Sequence, residues 1–332
     1  MTSKGPMELV CPAGTPATLR AAVLAGADAV YCGFRNETNA RNFPGLNFSM
    51  EELAEGVRFA HAHGKKVLVA INTFAQAGRV DLWRKSVDEA VACGADAIIA
   101  ADIAVLDHIA ANHKVRLHLS VQAASATPEA IGFYAKTFGV RRVVLPRVLS
   151  IPEIQALNRR IVVETEAFVF GGLCVMIEGR CYLSSYATGK SPNLSGVCSP
   201  PEAVNYVEDG RGTAANLAGF AIDRYAPGAP AGYPTLCKGR FKTDDKISYL
   251  FEDPVSLNAG SMLAGLKAAG VTALKIEGRQ RGKGYVTEVV GAFRKAVDAI
   301  ETGGDAIEIE RMLAGMSEGG RQTTGAYRKI WR

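Results

Sequence analysis

The chain has 332 residues, of which 48% are hydrophobic and 21% are charged. These values are ordinary for a globular protein and exclude an intrinsically disordered chain, which needs few hydrophobic residues and a high net charge. The formal net charge of +5 permits an anionic substrate but does not by itself indicate nucleic acid as a partner.

The N-terminal residues and the cysteine count predict the cellular compartment. Met1–Pro6 contain a lysine, but the apolar core of a signal peptide does not follow them,. No apolar run approaches the roughly 18 residues that span a bilayer. Seven cysteines, an odd number, are typical of a reducing compartment in a chain of this length. We therefore expect a cytoplasmic protein without a transmembrane segment.

A recurring phrase organises the first half of the chain. The segment AGADAV at residues 25–30 returns as CGADAI at residues 93–98, and looser copies begin near residues 63, 138 and 269. Each copy is typical of a helix that ends on glycine, followed by a short turn and a buried strand. Glycine fits that position because the residue after a helix often has a positive φ angle.

The strands predicted from the sequence are short, apolar and not alternating, which is typical of a parallel sheet that is covered on both faces. They are Leu9–Cys11, Ala29–Cys32, Val67–Ile71, Ala97–Ala100, Leu117–Ser120, Val143–Leu145, Ile161–Thr165 and Ala273–Ile276. Amphipathic helical patterns lie between them, with capping residues predicted at Thr15, Ser49 and Ser150.

Eight strands separated mostly by helices predict an α/β protein with a (β/α)8 TIM-like barrel. The alternative is an open, doubly wound sheet, which is disfavoured because no G-x-G-x-x-G follows an early strand. We expect the first seven β/α units in residues 1–170, an irregular cysteine-bearing insertion after strand 7 in residues 171–245, the last unit in 246–303 and a C-terminal extension in 304–332.

The predicted insertion differs in composition from the rest of the chain. It holds six of the 14 prolines and four of the seven cysteines. The other three cysteines, Cys11, Cys32 and Cys93, lie in apolar surroundings, so we expect them to be small buried hydrophobic residues. Long segments of this kind in a compact domain are usually functional.

Cys174, Cys181, Cys198 and Cys237 lie among glycines, prolines and polar residues, at intervals of 7, 17 and 39 residues. Four thiolates on loops suit a tetrahedral zinc ion or an iron–sulfur cluster. The closely spaced C-x2–4-C pairs of structural zinc sites are absent, so the spacing favours a cluster. Four unrelated thiols are the remaining alternative.

Several motifs in and around this region resemble those of one known family. The signature reads EAFVFGGLC at residues 166–174 and GRCYLS at residues 179–184, and further matches are KIEGR at 275–279 and SVQ at 120–122. On these motifs the chain is identified as a member of the collagenase-like (U-type) peptidase family. The resemblance extends over nearly the whole chain.

The resemblance is strongest to family members that support oxygen-independent ring hydroxylation in ubiquinone biosynthesis. It implies a 4Fe–4S cluster with Cys174, Cys181, Cys198 and Cys237 as ligands. It also implies a heterodimer with a paralogous partner, a ubiquinone precursor as substrate and prephenate as the donor of the hydroxyl oxygen.

A dicarboxylate such as prephenate needs cationic partners, and arginine favours bidentate pairing. We predict Arg41, Arg147, Lys275 and Arg279 as substrate-binding residues, each with a surface ion pair as the alternative. Two acidic residues near predicted strand ends, Glu166 and Glu277, are candidate acid/base groups or partners of those cations.

Three other functions remain open at this point. The first is an RNA-base hydroxylase, as some family members are, although no stripe of basic and aromatic residues predicts a nucleic-acid partner. The second is a peptidase with Cys174 or Cys181 as nucleophile and a histidine as base. The third is a binding scaffold with structural zinc.

Overall fold

The computed structural model describes residues 5–174, 181–304 and 309–328. Residues 175–180 of the signature lie outside the described residues. The chain begins with seven parallel strands and the six helices between them. The strands are β1 (Glu8–Pro12), β2 (Ala29–Cys32), β3 (Lys66–Ile71), β4 (Ala97–Ala100), β5 (Arg116–Leu119), β6 (Arg142–Val144) and β7 (Glu164–Gly172). The helices are α1 (Pro16–Leu24), α2 (Met50–Ala62), α3 (Val80–Ala92), α4 (Ile103–Asn112), α5 (Pro128–Phe138) and α6 (Ile151–Asn158).

The repeated phrase has a structural explanation in its aspartate. In the first copy, the Asp28 carboxylate accepts a hydrogen bond of 2.9 Å from the backbone N–H of Leu9. In the second copy, Asp96 accepts one of 2.7 Å from the N–H of Val67. Each aspartate therefore links the turn before its own strand to the start of the preceding strand, and it satisfies a donor at that strand's start.

The helix starts predicted from the sequence are confirmed. The Thr15 hydroxyl accepts from the N–H of Thr18 at 3.2 Å at the start of α1. Ser49 caps α2 and Ser150 caps α6, and each forms a capping box with a glutamate three residues later. These caps satisfy helix N–H groups that have no partner within the helix.

The seventh strand lies later in the chain than the sequence predicts. Residues 161–165 carry the β-branched run, but Val162 is 92% exposed and the strand begins at Glu164. β7 then continues to Gly172 because Ala167–Phe170 supply a fully buried apolar run. The predicted strand Ile161–Thr165 therefore overlaps β7 only at its last two residues, because Ile161–Val163 precede the strand and Val162 faces solvent.

The insertion is more regular than the sequence predicts. After the short helices α7 (Leu183–Thr188) and α8 (Pro192–Ser195), a three-stranded antiparallel sheet forms from β8 (Val204–Asp209), β9 (Gly212–Leu217) and β10 (Phe220–Tyr225). A hairpin of β11 (Arg240–Thr243) and β12 (Lys246–Tyr249) follows. The domain bounds drawn from the sequence stay a prediction.

The chain then returns to the barrel and closes it. A short strand, β13 (Ser256–Asn258), pairs antiparallel with the end of β7, and α9 (Leu263–Ala268) leads into β14 (Ala273–Ile276). β14 pairs in parallel with both β1 and β7, so eight parallel strands form a closed ring. The predicted (β/α)8 barrel is thereby confirmed.

The last described elements cover the barrel from outside. They are α10 (Lys283–Glu301), α11 (Ile309–Met312) and β15 (Gln322–Thr323). The apolar face of α10 is buried, as its sequence pattern predicts. Near the C terminus, the buried hydroxyl of Tyr327 donates to the carbonyl of Phe168 at 2.5 Å. Among the described helices, none combines the length and the hydrophobicity needed to cross a bilayer.

Candidate functional site at the barrel mouth

The four candidate cysteines lie on segments that meet at the carboxyl end of the barrel strands. Cys174 follows the end of β7 by two residues. Cys198 belongs to a segment that packs on the loop after β2, where the N–H of Asn42 donates to the carbonyl of Gly196 at 3.1 Å. Cys237 lies in a short helical turn before β11. The carboxyl end of the strands is where barrel enzymes place their chemistry.

The thiols are close enough to change one another's acidity. Burial raises the pKa of Cys237 to about 12, and the neighbouring thiols of Cys174 and Cys198 add to that rise. Burial also raises the pKa of Cys198, where the Arg41 cation opposes the rise and Cys181 adds to it. The thiols of Cys174 and Cys198 therefore lie near Cys237, and the thiol of Cys181 lies near Cys198.

Four thiols are a donor set for either a tetrahedral zinc ion or an iron–sulfur cluster. Zinc–sulfur bonds of about 2.3 Å require sulfur atoms about 3.8 Å apart in a tetrahedral site. Within the described part of the chain, the four cysteines do not supply three sulfur atoms that lie within 4.8 Å of one another, so a single zinc ion would require the thiols to move closer together.

Glu277 is held directly beside this group. Its carboxylate lies 3.7 Å from Arg41 Nε and accepts a hydrogen bond of 3.3 Å from the N–H of Gly172. Burial would raise the pKa of Glu277, but Arg41, Arg147 and Arg281 outweigh burial and lower the pKa. Glu277 is therefore a carboxylate at neutral pH and cannot begin a reaction as a proton donor.

Arg41 connects the cysteines to Glu277. Burial disfavours its cation, but Glu277 and the thiols of Cys198 and Cys174 raise its pKa above the usual value. The guanidinium therefore lies near a carboxylate and two candidate sulfur ligands. It compensates the charge of Glu277 and would compensate the sulfur atoms once they lose their protons.

Arg279 is a buried cation with weak compensation. Its side chain is 5% exposed, and Nη1 donates to the amide oxygen of Asn39 at 3.1 Å. The guanidinium also lies 5.6 Å from the centre of the Tyr31 ring. Desolvation lowers the pKa of Arg279 to about 10. An anionic ligand at this position would relieve that cost.

Arg147 lies on an apolar platform at the same end of the barrel. It follows β6 by three residues, and its guanidinium carbon lies 3.5 Å from the centre of the Phe168 ring. This stacking holds the planar cation in one orientation.

Glu166 does not lie at the mouth, which corrects its expected position at a strand end, whereas Lys275 is the next-to-last residue of β14. β7 continues six residues beyond Glu166, so the carboxylate lies deeper in the barrel. It is fully buried, with Lys275 Nζ at 2.5 Å and Arg142 Nη1 at 3.3 Å. Burial alone would raise the pKa of Glu166, but these two cations lower it. Their arrangement is an internal ion-pair network, and the predicted substrate and acid/base roles stay untested.

Sequence reasoning missed two residues beside the cations. Tyr31 lies under Lys275, with the ammonium 3.9 Å from its ring centre, and its hydroxyl donates to the carbonyl of Ile276 at 2.9 Å. Asn39 holds Arg279. The position of Tyr31 at the end of a predicted strand was an available signal, whereas Asn39 lies in a loop without one.

The five histidines lie away from the cysteine group in the described structure. His61 contacts Asp96, His63 the carbonyl of Phe59, His108 and His113 both Asp88, and His118 Arg116. Burial and nearby cations lower the pKa of His118, which is 1% exposed, as expected for a buried histidine. These contacts give no support to a cysteine–histidine pair.

A family model described as peptidase family U32 matches residues 14–327. The chain belongs to this family. Tyr31, Glu166, Glu277 and the four cysteines all lie within the match. Two U32 proteins similar to this chain are named for tRNA hydroxylation. Protein P1 of Bacillus subtilis is 33% identical over 88% of this chain and 63% of its own length. Protein P of Escherichia coli is 31% identical over 89% and 69%, respectively.

A third U32 relative is the 23S rRNA 5-hydroxycytidine C2501 synthase of Escherichia coli. It is 30% identical over 94% of this chain and 42% of its own length. The chain thus spans less than two thirds of two of these three relatives. All three relatives are named for hydroxylation of RNA rather than for proteolysis.

Proposed function

We propose that this U32 protein is the iron–sulfur subunit of an oxygen-independent hydroxylase that acts on the ring of ubiquinone precursors. In this proposal it works as UbiU does, in a heterodimer with a UbiV-like paralogue, and prephenate donates the hydroxyl oxygen. The observation that supports the proposal is that Cys174 lies two residues after β7 and that the thiols, Arg41 and Glu277 affect one another's pKa values at this end of the barrel.

Cys174, Cys181, Cys198 and Cys237 would hold a 4Fe–4S cluster. When bound, such a cluster supplies one-electron redox chemistry that protein side chains lack. Four thiolates side by side would repel one another without a cation between them. Iron would supply that positive charge and would displace the protons of the four thiols as it binds. Arg41 would offset the negative charge that the ligands bring to the mouth.

The remaining residues would bind and orient a dicarboxylate. Arg279 and Arg147 offer planar donors, one buried and one stacked on Phe168, and planar guanidinium groups match carboxylates in bidentate pairs. Glu277 keeps Arg41 in place and, as a carboxylate, is able to accept a proton from bound substrate. Glu166 would act through Lys275 by fixing the ammonium over Tyr31.

The experiment that tests this function compares a strain lacking the gene with its parent during growth without oxygen. We expect the deletion strain to accumulate unhydroxylated ubiquinone precursors, measured by mass spectrometry of lipid extracts. Complementation with wild-type protein should restore ubiquinone, and complementation with Cys174→Ser should not. Normal anaerobic ubiquinone in the deletion strain would contradict the proposal.

An RNA-base hydroxylase is the second candidate, and the names of three relatives favour it. The same deletion strain separates the two functions, since tRNA and rRNA nucleosides can be measured from the same cultures. Loss of a hydroxylated nucleoside with normal ubiquinone would select this candidate.

A further inference from the structure

A second group of metal-ligating side chains lies on the outer helical layer of the barrel. Asp88 lies in α3, His108 in α4, and His113 directly follows α4. One carboxylate oxygen, Asp88 Oδ1, lies 2.8 Å from His108 Nε2 and 2.7 Å from His113 Nε2. The three candidate ligand atoms all lie within 4.8 Å of one another.

Two imidazole nitrogens and one carboxylate oxygen form a common donor set for divalent transition metals. With bond lengths of about 2.0–2.1 Å, ligand atoms in a tetrahedral zinc site lie about 3.3 Å apart. The observed separations are shorter by about half an ångström, as hydrogen-bonded nitrogen and oxygen atoms are. A small rotation of the Asp88 side chain would therefore open the group for an ion.

The surroundings fix the two imidazoles more firmly than the carboxylate. The histidine side chains are 16% and 17% exposed, and their rings pack edge to face with centres 5.6 Å apart. The amide nitrogen of Asn112 lies 3.2 Å from the second ring nitrogen of His108 and 2.9 Å from its carbonyl oxygen, which orients that ring; metal binding at Nε2 of His108 would displace the proton from that nitrogen. Asp88 is 53% exposed, so an ion and its water ligands reach the group from solvent.

This group is separate from the candidate cysteine site. α4 ends at Asn112 and its chain leads into the start of β5, so His113 lies toward the amino end of the strands, opposite the mouth. We propose that Asp88, His108 and His113 form a binding site for a divalent transition-metal ion of the zinc or nickel type, which links α3 to α4. The site does not depend on the proposed hydroxylase function.

The test measures Ni²⁺ binding to the anaerobically purified, cluster-loaded protein, by titration calorimetry and by metal analysis after gel filtration. We expect about one nickel ion per chain in addition to the iron, and an affinity at least about tenfold lower in His108→Gln, His113→Gln and Asp88→Asn. The visible absorbance of the iron should stay unchanged throughout, which shows that nickel has not entered the cysteine site.

The matched control is His61→Gln, which removes a histidine from an exposed pair with Asp96 at 2.9 Å that lacks a third ligand among the described residues. It should bind nickel as the wild type does, and thermal unfolding should show that all four variants remain folded. Absence of nickel binding by the wild type, or equal binding by all variants, would overturn the proposal. The three residues would then only form hydrogen bonds between α3 and the end of α4. A variant that unfolds is replaced by the alanine substitution at the same position.

Discussion

Buried charge is distributed differently at the two ends of the barrel. In the lower layer, the cations of Arg142 and Lys275 are matched by the carboxylates of Glu8, Glu164 and Glu166. At the mouth, Arg41, Arg147 and Arg281 all act on the carboxylate of Glu277. Matched charges stabilise the lower layer, and we propose that the cations at the mouth bind an anionic ligand.

Removal of the Glu166 carboxylate tests how much the ion pairs of the lower layer contribute to stability. We expect Glu166→Gln to lower the free energy of unfolding by about 3–5 kcal/mol at pH 7, because Lys275 and Arg142 would remain buried without their shared partner. Chemical denaturation measures the change. The matched control is Glu129→Gln, in an ion pair whose side chains are 63% and 70% exposed, which should cost less than about 1 kcal/mol.

The difference in the free energy of unfolding between the wild type and Glu166→Gln should depend on pH. The pKa of Glu166 lies below its ordinary value of 4.5 in the folded protein. Its ionisation therefore contributes stability above about pH 4.5, and that contribution is lost as the pH falls through the lowered pKa. We expect the difference between wild type and Glu166→Gln to shrink below pH 4.5. A difference that stays constant from pH 7 to pH 3 would contradict this account.

Substitution of Arg279 tests whether the cations at the barrel mouth bind the substrate. Because burial lowers its pKa, the folded state disfavours this cation, and Arg279→Gln should leave the protein folded. We expect it to weaken prephenate binding about tenfold to a hundredfold, the cost of a charge-assisted hydrogen-bonded pair. Calorimetry on the cluster-loaded protein measures the change, with Arg58→Gln on the exposed face of α2 as the control of equal charge. Equal binding by both variants would remove Arg279 from the site.

At the scale of single elements, β7 connects the internal ion pairs to the mouth. Glu166 lies near its start, Phe168 supports Arg147, and Gly171 and Gly172 contact Glu277 at its end. Gly171 has a φ angle of +116°, and a Cβ atom there would lie 2.7 Å from both the Cβ and the carbonyl oxygen of Glu277. Glycine at position 171 is therefore required for the close approach of β7 to the residue that follows β14.

Gly171→Ala should displace Glu277 and with it Arg41. We expect a loss of about 1–3 kcal/mol in the free energy of unfolding, the cost of a strained backbone and a close contact. The control is Gly132→Ala within α5, where an added Cβ meets open space. That change should stabilise the protein by up to about 1 kcal/mol because alanine is the better helix former. Equal effects of the two substitutions would contradict the assigned role of Gly171.

At the scale of the whole molecule, the sequence predicts the barrel well because its signals are local. In the two closest copies of the phrase, Asp28 and Asp96 each accept a hydrogen bond from the start of a neighbouring strand, and Thr15, Ser49 and Ser150 each lie where a helix begins. Eight β/α units allow β14 to pair with both β1 and β7 and so to close the ring. Closure leaves none of the eight parallel strands with an unpaired edge.

The insertion and the depth of each charge were harder to predict. The strands β8, β9 and β10 are joined by short turns, and Ala218 and Gly219 in one turn both have positive φ angles. A turn signal of Ala-Gly is weaker than Asn-Gly, so the sheet was missed. Glu166 was expected at the mouth because the end of β7 was placed too early, and a shift along a strand moves a side chain to another layer of the barrel.

The cysteines divide into two groups. Cys11 and Cys32 are fully buried small side chains, as expected, whereas Cys93 is only partly buried. The thiols after β7 affect one another's pKa values, and their role as metal ligands stays a prediction. The sequence gives the donor type and the spacing, but the place of Arg41 between Cys198 and Glu277 depends on contacts between distant segments.

The most direct test of the account counts iron and sulfide per chain after anaerobic reconstitution of the wild type and six serine variants. We expect about four of each ion in the wild type and in Cys11→Ser and Cys93→Ser. Replacement of Cys174, Cys181, Cys198 or Cys237 should lower the iron content while circular dichroism shows a folded barrel. Equal iron loss from Cys11→Ser and Cys174→Ser, or a wild type without iron, would contradict the account.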